Sequence, residues 1–459
     1  MRDLKAALQA LIPGMRVLGP AELAGRDPGW EPGNLGCAAL ASPRSTEEVA
    51  RLVAWARAEG VALVPQGGRT GLVGGAVSGP GEVAIATDGL AAIEEIDPLE
   101  RVAVVGAGVT LGALQEAAAR HGLEPGIDLA ARGTATIGGM ISTNAGGILA
   151  FRNGVMRHRV LGLEAVLPDG RVFCDMTRVV KTSAGYDLKH LFIGAEGTLG
   201  IVTRVVLKLD MLAGARASAL VGVKDATSAL GIIRHFLALP GQTLCGAELM
   251  WRAFAEATSR SQGGQSAQLP LAAPAHLVLE VAAESSDLAV EALEKGIARL
   301  WDEGHVVDAV VAQSLEQRDR IWALREDTDA IYRLHPQAPS YDLSVPARHI
   351  DAYVARITAE LAGLDPAWSP YVFGHIADGN LHVILNVSGP LPPDRAEAVE
   401  DVLYRGLAEI GGCFSAEHGI GKKKKRAFDV YADPVKRELA GAIKGLLDPA
   451  RIVNPSKLV

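Results

Sequence analysis

Pro65-Gln66-Gly67-Gly68-Arg69-Thr70-Gly71-Leu72-Val73-Gly74-Gly75 is the stretch that decides the fold. Five glycines fall within the nine positions 67–75, a density that no helix interior tolerates. Consecutive backbone amides in such a loop form an anion-binding nest, so the segment reads as a phosphate or pyrophosphate cradle. Pro65, Leu72 and Val73 set it apart from a floppy Gly/Ser linker. It is neither a Walker loop nor a GxGxxG fingerprint, because no Gly-Lys-Ser/Thr follows and no helix opens from it.

Upstream, residues 3–11 suggest a short amphipathic helix and Gly29 to Gly36 a loop. Ser45-Thr46-Glu47-Glu48 reads as a capping box, with Ser45 on the Glu48 amide and Glu48 reaching back. A helix with Val49, Leu52, Val53 and Ala56 on one side then stops near Gly60, and Val61 to Val64 is a strand. Downstream, Val83 to Thr87 and Arg101 to Val105 read as strands, and Leu111 to His121 as a helix. A second glycine-rich segment, Thr134 to Gly147, mixes small residues and hydroxyls (Thr134, Thr136, Gly138, Gly139, Ser142, Asn144) suited to close contact with a flat ligand. Val160 to Phe173 forms a hairpin across Pro168-Asp169-Gly170. A third glycine-spaced loop, Glu196-Gly197-Thr198-Leu199-Gly200, leads into a strand from Ile201 to Leu209.

Beyond residue 210 the chain changes character. Helical stretches at Ala226–Leu237, Ser286–Leu300, Ala347–Leu361 and Asp394–Ile410 alternate with strands such as His276–Val281, Val306–Val311 and Leu381–Val387. That pattern predicts an antiparallel sheet backed by helices, an α+β architecture. Lys436 to Leu447 is one more helix before the tail. The expected boundaries are 1–210, 211–415 and 416–459, with the last segment returning to the first.

In this second half, Gly374-His375-Ile376-Ala377-Asp378-Gly379-Asn380-Leu381-His382 places two imidazoles about an Asp-Gly turn signal. With Ala377 to Asn380 as the loop, His375 would face His382 across an antiparallel pair, side by side as metal binding needs. Two ordinary strand residues beside a turn read equally well. Glu417-His418 offers a carboxylate and a third imidazole. Arg325, in Trp322-Ala323-Leu324-Arg325-Glu326, is a candidate for holding a carboxylate in a bidentate fork, or else one half of a surface ion pair.

The chain has 459 residues, so two or three domains are expected. A net charge of −8 argues against a general nucleic-acid binder. The run Lys422 to Arg426 reads as a solvated helix start, or as a docking site for an anion or partner. Four cysteines without a CxxC pair indicate neither a disulfide framework nor an iron–sulfur cluster. With no apolar run long enough to span a membrane, the expected location is cytoplasmic. A homodimer is compatible with the sequence.

Taken in order, the three glycine loops resemble the FAD-binding half of vanillyl-alcohol-oxidase-type flavoproteins. Gly374 to His382, Ser415 to Gly421 and Asp448-Pro449 to Asn454-Pro455 are similar to the D-2-hydroxyacid dehydrogenase branch, and the resemblance covers nearly the whole chain. It implies a two-subdomain FAD domain and a substrate-binding cap. Pro65, Gln66, Gly67, Gly68, Arg69, Thr70, Gly71, Gly74 and Gly75 would hold the FAD pyrophosphate. The segment from Thr134 to Asn144 would lie along the isoalloxazine and ribityl. Glu196, Gly197, Gly200 and Ile201 would take the adenosine side, and Asn454 would approach the flavin. Arg69 and Thr70 stand in the loop where some relatives carry a flavin-linking histidine, so FAD is expected to be non-covalent.

The resemblance further implies a metal-assisted dehydrogenase that converts a D-2-hydroxy acid to the 2-oxo acid by hydride transfer to flavin N5. His375, His382 and Glu417 would hold a divalent metal, Zn²⁺ before Mn²⁺ or Fe²⁺. His418 would be the general base, Arg325 the carboxylate anchor, and Asn380 a group that bonds substrate or orders the histidines. Ser340 stands where relatives active on 2-hydroxyglutarate carry a lysine before the tyrosine, which speaks against a dicarboxylate. A separate electron acceptor is implied: an electron-transfer flavoprotein, a quinone or a cytochrome. A sugar or aldonolactone oxidase on the same scaffold, a flavin-free metallohydrolase and a non-catalytic binding protein are the competing readings.

Overall fold

The computed structural model describes residues 3–262 and 269–458. The chain divides into two compact units, one of Met1–Gly147, Asn153–Leu212 and Glu417–Val459, the other of Ile148–Arg152 and Ala213–Ala416.

The first unit holds two main sheets. Strands β1 (Arg16–Leu18), β2 (Ala39–Ser42), β3 (Leu63–Gln66) and β4 (Val83–Ala86) form a mixed sheet in the order β1-β2-β4-β3, parallel between β2, β4 and β3. Strands β5 (Ile93–Asp97), β6 (Val102–Gly106), β8 (Val160–Val166), β9 (Val172–Asp175) and β10 (Ile201–Lys208) form an antiparallel sheet in the order β5-β6-β10-β8-β9. The short strands β7 (Leu123–Glu124) and β11 (Asp210–Met211) pair with each other. Its two largest apolar clusters, among the described residues, fill most of the unit. One is built on Val49, Leu52, Leu63 and Ile85, the other on Leu111, Leu114, Ile141, Leu163 and Val205.

Local chemistry explains several of the elements. The Ser45 hydroxyl accepts from the Glu48 amide at 3.3 Å and starts the helix Thr46–Glu59, which ends on left-handed Gly60. The box is not reciprocal. Glu48 turns to the Arg44 amide at 2.7 Å, because the Arg44 guanidinium lies within 2.8 Å and draws the carboxylate past Ser45. The second glycine segment contains a helix, Ile137–Thr143, capped by the Thr136 hydroxyl and closed by Asn144 at φ 54°. The C-terminal tail is pinned by Lys444. Its buried ammonium donates to Asp448 at 2.6 Å and to the carbonyls of Thr198 and Val453 at 2.7 and 2.8 Å. Val453 thereby lies as a parallel bridge beside Leu63 of β3.

The second unit is one seven-stranded sheet, antiparallel throughout. Its strands are β12 (Ala215–Val223), β13 (Thr243–Trp251), β14 (Ala275–Ala283), β15 (Asp308–Val311), β16 (Ser340–Ser344), β17 (Pro370–His375) and β18 (Asn380–Leu385), ordered β15-β12-β14-β13-β17-β18-β16. All nine residues of β14 are buried, so helices must cover both of its faces. Helices Arg252–Ser261, Leu315–Glu326 and Asp329–Leu334 bring Phe254, Ile321, Leu324 and Ile331 onto Leu220, Met250, Val278 and Phe373. Helices Ala226–Ala238, Ser286–Asp302 and Ile350–Leu364 also pack on this sheet. The helix expected over 394–410 stops at Tyr404, where Arg405 turns extended and Gly406 takes φ 80°. Among the described residues, no helix is long and apolar enough to cross a membrane.

Candidate active site

The three glycine loops of the first unit converge on one cleft. Of the residues expected to hold a cofactor, Pro65 to Gly71, Gly75, Thr136, Gly138, Gly139, Ser142, Glu196, Gly197, Gly200 and Ile201 line it. Gly74, Thr134, Asn144 and Asn454 do not. Asn454 is instead buried with its amide on the carbonyls of Gly75 and Glu196, at 3.1 and 2.7 Å, where it joins the tail to two of the loops. Met140 and Thr143, inside the segment expected along the flavin, line it too, whereas Thr87 and Val202 do so without having been expected there, since nothing in their local sequence marks them.

The glycines are needed for close approach. A Cβ on Gly68 would overlap the Thr134 carbonyl, and one on Gly67 the Thr136 hydroxyl, so the first loop lies directly on the second. A Cβ on Gly71 would meet no protein atom within 4 Å. Gln66 Oε1, Arg69 Nε and Thr87 Oγ1 are buried along this cleft with no protein partner. Such groups need a ligand's complementary atoms, and with the glycine cradle they fit a bound dinucleotide.

Glu196 has the backbone at φ 51° and is buried, and its carboxylate accepts from the amides of Ile420 and Gly421 at 2.7 Å each. Burial pushes its pKa up while these two amides pull it down. The segment following His418 is thus held by the third glycine loop, and His418 itself lines the cleft. Glu417, next to it, accepts from the Gly147 amide at 2.9 Å. Of the basic run, Lys422 and Lys423 are exposed, Lys423 pairs with Glu31, and Lys424 is buried just before the helix Lys425–Tyr431.

In the second unit the histidine hairpin forms in a different register from the one expected. Phe373, not His375, stands opposite His382, and continuing the ladder sets His375 against Asn380. The turn therefore occupies 376–379. Gly379, at φ 80°, has no room for a Cβ beside the Val345 carbonyl, and the Val345 amide donates to the Gly379 carbonyl at 2.9 Å. The two imidazoles remain diagonal neighbours on one face, with centroids 5.6 Å apart at 82°.

His375 Nδ1 lies 2.6 Å from Glu248 Oε1, and Arg325 Nε donates to Glu248 Oε2 at 2.8 Å. Glu248 is 1% exposed and stands directly opposite His375 on β13. Arg325 is buried rather than on a surface, with its guanidinium carbon 4.8 Å from the centre of the Phe373 ring. Asn380 begins β18 and turns its amide to Asp342 Oδ1 and the Leu343 carbonyl, at 3.0 and 3.1 Å. Asp342, fully buried and opposite His382, also accepts from the Ala416 amide at 3.0 Å. Glu248 and Asp342 were not among the expected site residues. A carboxylate inside an otherwise apolar strand run was the available signal, since buried acids are almost always paired.

A mixed sheet, an antiparallel sheet and a glycine-lined cleft, with a separate helix-backed sheet, define an FAD-binding oxidoreductase of the vanillyl-alcohol-oxidase type. The fold matches p-cresol methylhydroxylase with substrate bound at TM-score 0.76 and 17% identity, over 98% of this chain and 95% of that one. It matches alkyldihydroxyacetonephosphate synthase at TM-score 0.65 and 16% identity, over 91% and 76%. Residues 37–174 match the FAD binding domain, and residues 212–458 match the C-terminal domain of FAD linked oxidases. The D-2-hydroxyglutarate dehydrogenase of Xanthomonas citri pv. viticola is 37% identical over 98% of this chain and 96% of its own length. The mitochondrial D-2-hydroxyglutarate dehydrogenase of Bos taurus is 34% identical over 100% and 83%. The chain belongs to the FAD-linked D-2-hydroxyacid dehydrogenase family of FAD-linked oxidases.

Proposed function

We propose that this protein oxidises a D-2-hydroxy acid to the corresponding 2-oxo acid with FAD held non-covalently in the glycine cleft. The reading includes a divalent cation, Zn²⁺ foremost, with His375, His382 and Glu417 as ligands. The observation that carries it is Glu248. One buried carboxylate orients an imidazole through Nδ1, the arrangement typical of metal-binding histidines, and at the same time holds a guanidinium. When bound, FAD supplies a two-electron acceptor at N5 and the cation supplies Lewis acidity.

The chain's own residues then have separable tasks. Arg325 spends Nε on Glu248 and keeps its terminal nitrogens for the substrate carboxylate. His418 takes the hydroxyl proton at a ring nitrogen while C2 loses a hydride. Asn380 is committed to Asp342 through its amide, so its role is to hold the strand beside His382. The closely similar relatives are named for D-2-hydroxyglutarate. Ser340, at the start of β16, favours an acid with an uncharged distal end. Electrons leave to a separate acceptor.

Anaerobic mixing with D-lactate, glycolate, D-2-hydroxyglutarate and bulkier D-2-hydroxy acids tests the reading. A D-2-hydroxy acid bleaches the flavin band, and prior chelation slows the bleaching. Bleaching by sugars or lactones alone would refute the substrate class. Fast bleaching by a metal-free sample would refute the cation.

A further inference from the structure

Glu248 has two unlike partners and no freedom. It lies at the middle of the seven-stranded sheet, 1% exposed, with Oε1 at 2.6 Å from His375 Nδ1 and Oε2 at 2.8 Å from Arg325 Nε. The His375 side is fixed by the ladder, because Glu248 and His375 are opposed residues on neighbouring strands. The Arg325 side is fixed by the helix Leu315–Glu326. That helix docks through Arg318 and Trp322, both donating to buried Glu280 Oε2 at 3.1 Å, while the Trp322 ring lies on Gly246. Arg318, Trp322 and Arg325 are spaced i, i+4, i+7, so all three anchors fall on one helix face. A single carboxylate thus joins two heads that come from rigid elements.

We infer that Glu248 is a positioning residue that sets the distance between the carboxylate anchor Arg325 and the imidazole of His375. Through that distance it confines the enzyme to acids whose hydroxyl is on the carbon next to the carboxylate. The inference rests on the function proposed above. A 3-hydroxy acid moves its hydroxyl away from the carboxylate by one carbon, about 1.5 Å. In a preorganised site a displacement of about 1 Å costs on the order of 100-fold in rate. Glu248 cannot absorb the change, because neither partner can move without leaving its oxygen.

The test uses FAD-loaded wild type, Glu248→Asp and Glu248→Gln. Aspartate draws the carboxylate back by about 1.5 Å, too far to hold both heads. Glutamine keeps the shape and changes the donor pattern. The readouts are kcat and KM for D-2-hydroxybutyrate and D-3-hydroxybutyrate, and the affinity of chelator-stripped protein for Zn²⁺ alone by calorimetry. Wild type is expected to prefer the 2-hydroxy isomer by about 100-fold or more. Glu248→Asp is expected to raise KM for that isomer, to narrow the preference at least about 10-fold, and to weaken Zn²⁺ binding by about 10- to 100-fold. Flavin content, read from absorbance, stays at the wild-type value. Unchanged isomer preference and unchanged Zn²⁺ affinity in both variants overturn the inference. So does an equal loss on both isomers that merely tracks lost flavin. A wild type that accepts both isomers alike overturns it without any variant. A wild type inert to every D-2-hydroxy acid refutes the function itself, which is a different result.

Discussion

Two alanines in one loop separate the cofactor's contacts from the protein's own. A Cβ at Gly68 would lie 2.7 Å from the Thr134 carbonyl carbon and 3.2 Å from the Ala135 nitrogen. Ordinary contact begins at 3.4 Å and the Thr134 carbonyl oxygen is closer still, so the two backbones must part by well over the roughly 0.7 Å that the carbon alone would require. A Cβ at Gly71 meets no protein atom within 4 Å, and Gly71 does not sit at positive φ. Gly68→Ala therefore destabilises the flavin-free protein by about 1–3 kcal/mol, the usual cost of overpacking. Gly71→Ala leaves the flavin-free protein unharmed, or about 0.5 kcal/mol more stable through a less flexible unfolded chain. Gly71 does line the cleft, so its added methyl competes with bound FAD. The same overpacking range then falls on binding, about 5- to 150-fold in Kd. The assay strips the flavin, reconstitutes with FAD while following quenching of its fluorescence, and records thermal unfolding with and without FAD. The expected pattern is a Gly71→Ala protein that melts like wild type when empty and gains less from FAD. Wild-type FAD affinity in Gly71→Ala would refute the cradle.

Two further variants test the second unit. His276, fully buried on β14 with neither ring nitrogen partnered by protein, has its pKa pushed down to about 4 by burial and then by the charge of Arg252. As pH falls below 6.5 the unfolded chain takes up a proton that the folded one refuses, so stability drops until about pH 4; between pH 7.5 and 5 the loss is about 2 kcal/mol. His276→Leu removes that slope, read as the difference in native-state hydrogen exchange of β14 against wild type, and parallel slopes would refute it. Trp322→Phe deletes an indole N–H shared by Glu280 and Ser218 at 3.1 Å each. It costs about 1–3 kcal/mol in the second unit without altering FAD uptake by the first, and unchanged exchange at the helix Leu315–Glu326 would count against the docking role.

What could be read from the sequence, and what could not, divides along the range of the interaction involved. The glycine loops were legible because a nest is a local object: consecutive amides and missing Cβ atoms suffice. The antiparallel sheet backed by helices was legible for the same reason, since strand and helix periodicities repeat within a few residues. Glu248 was not legible as a partner. It lies 127 residues from His375 and 77 from Arg325, and only the order β13-β17 brings these together. Glu48 shows the same limit at short range, because one neighbouring guanidinium was enough to redirect a capping carboxylate.

The hairpin shows why a wrong register still left the two imidazoles on one face. The expected turn set His375 opposite His382; the actual ladder sets Phe373 there, a slip of two residues. Side chains alternate faces with a period of two, so a slip of two changes the partner and keeps the face, whereas a slip of one would have sent every residue to the other side. His375 and His382 consequently stay within 5.6 Å, now diagonally. The slip also has a consequence for His375. Its opposite on β18 becomes Asn380, while its other strand edge faces β13, where Glu248 is the opposed residue. In the expected register His375 would have met a second imidazole directly. In the actual one it meets a carboxylate on one side and an imidazole on the diagonal, and the carboxylate fixes the ring through Nδ1.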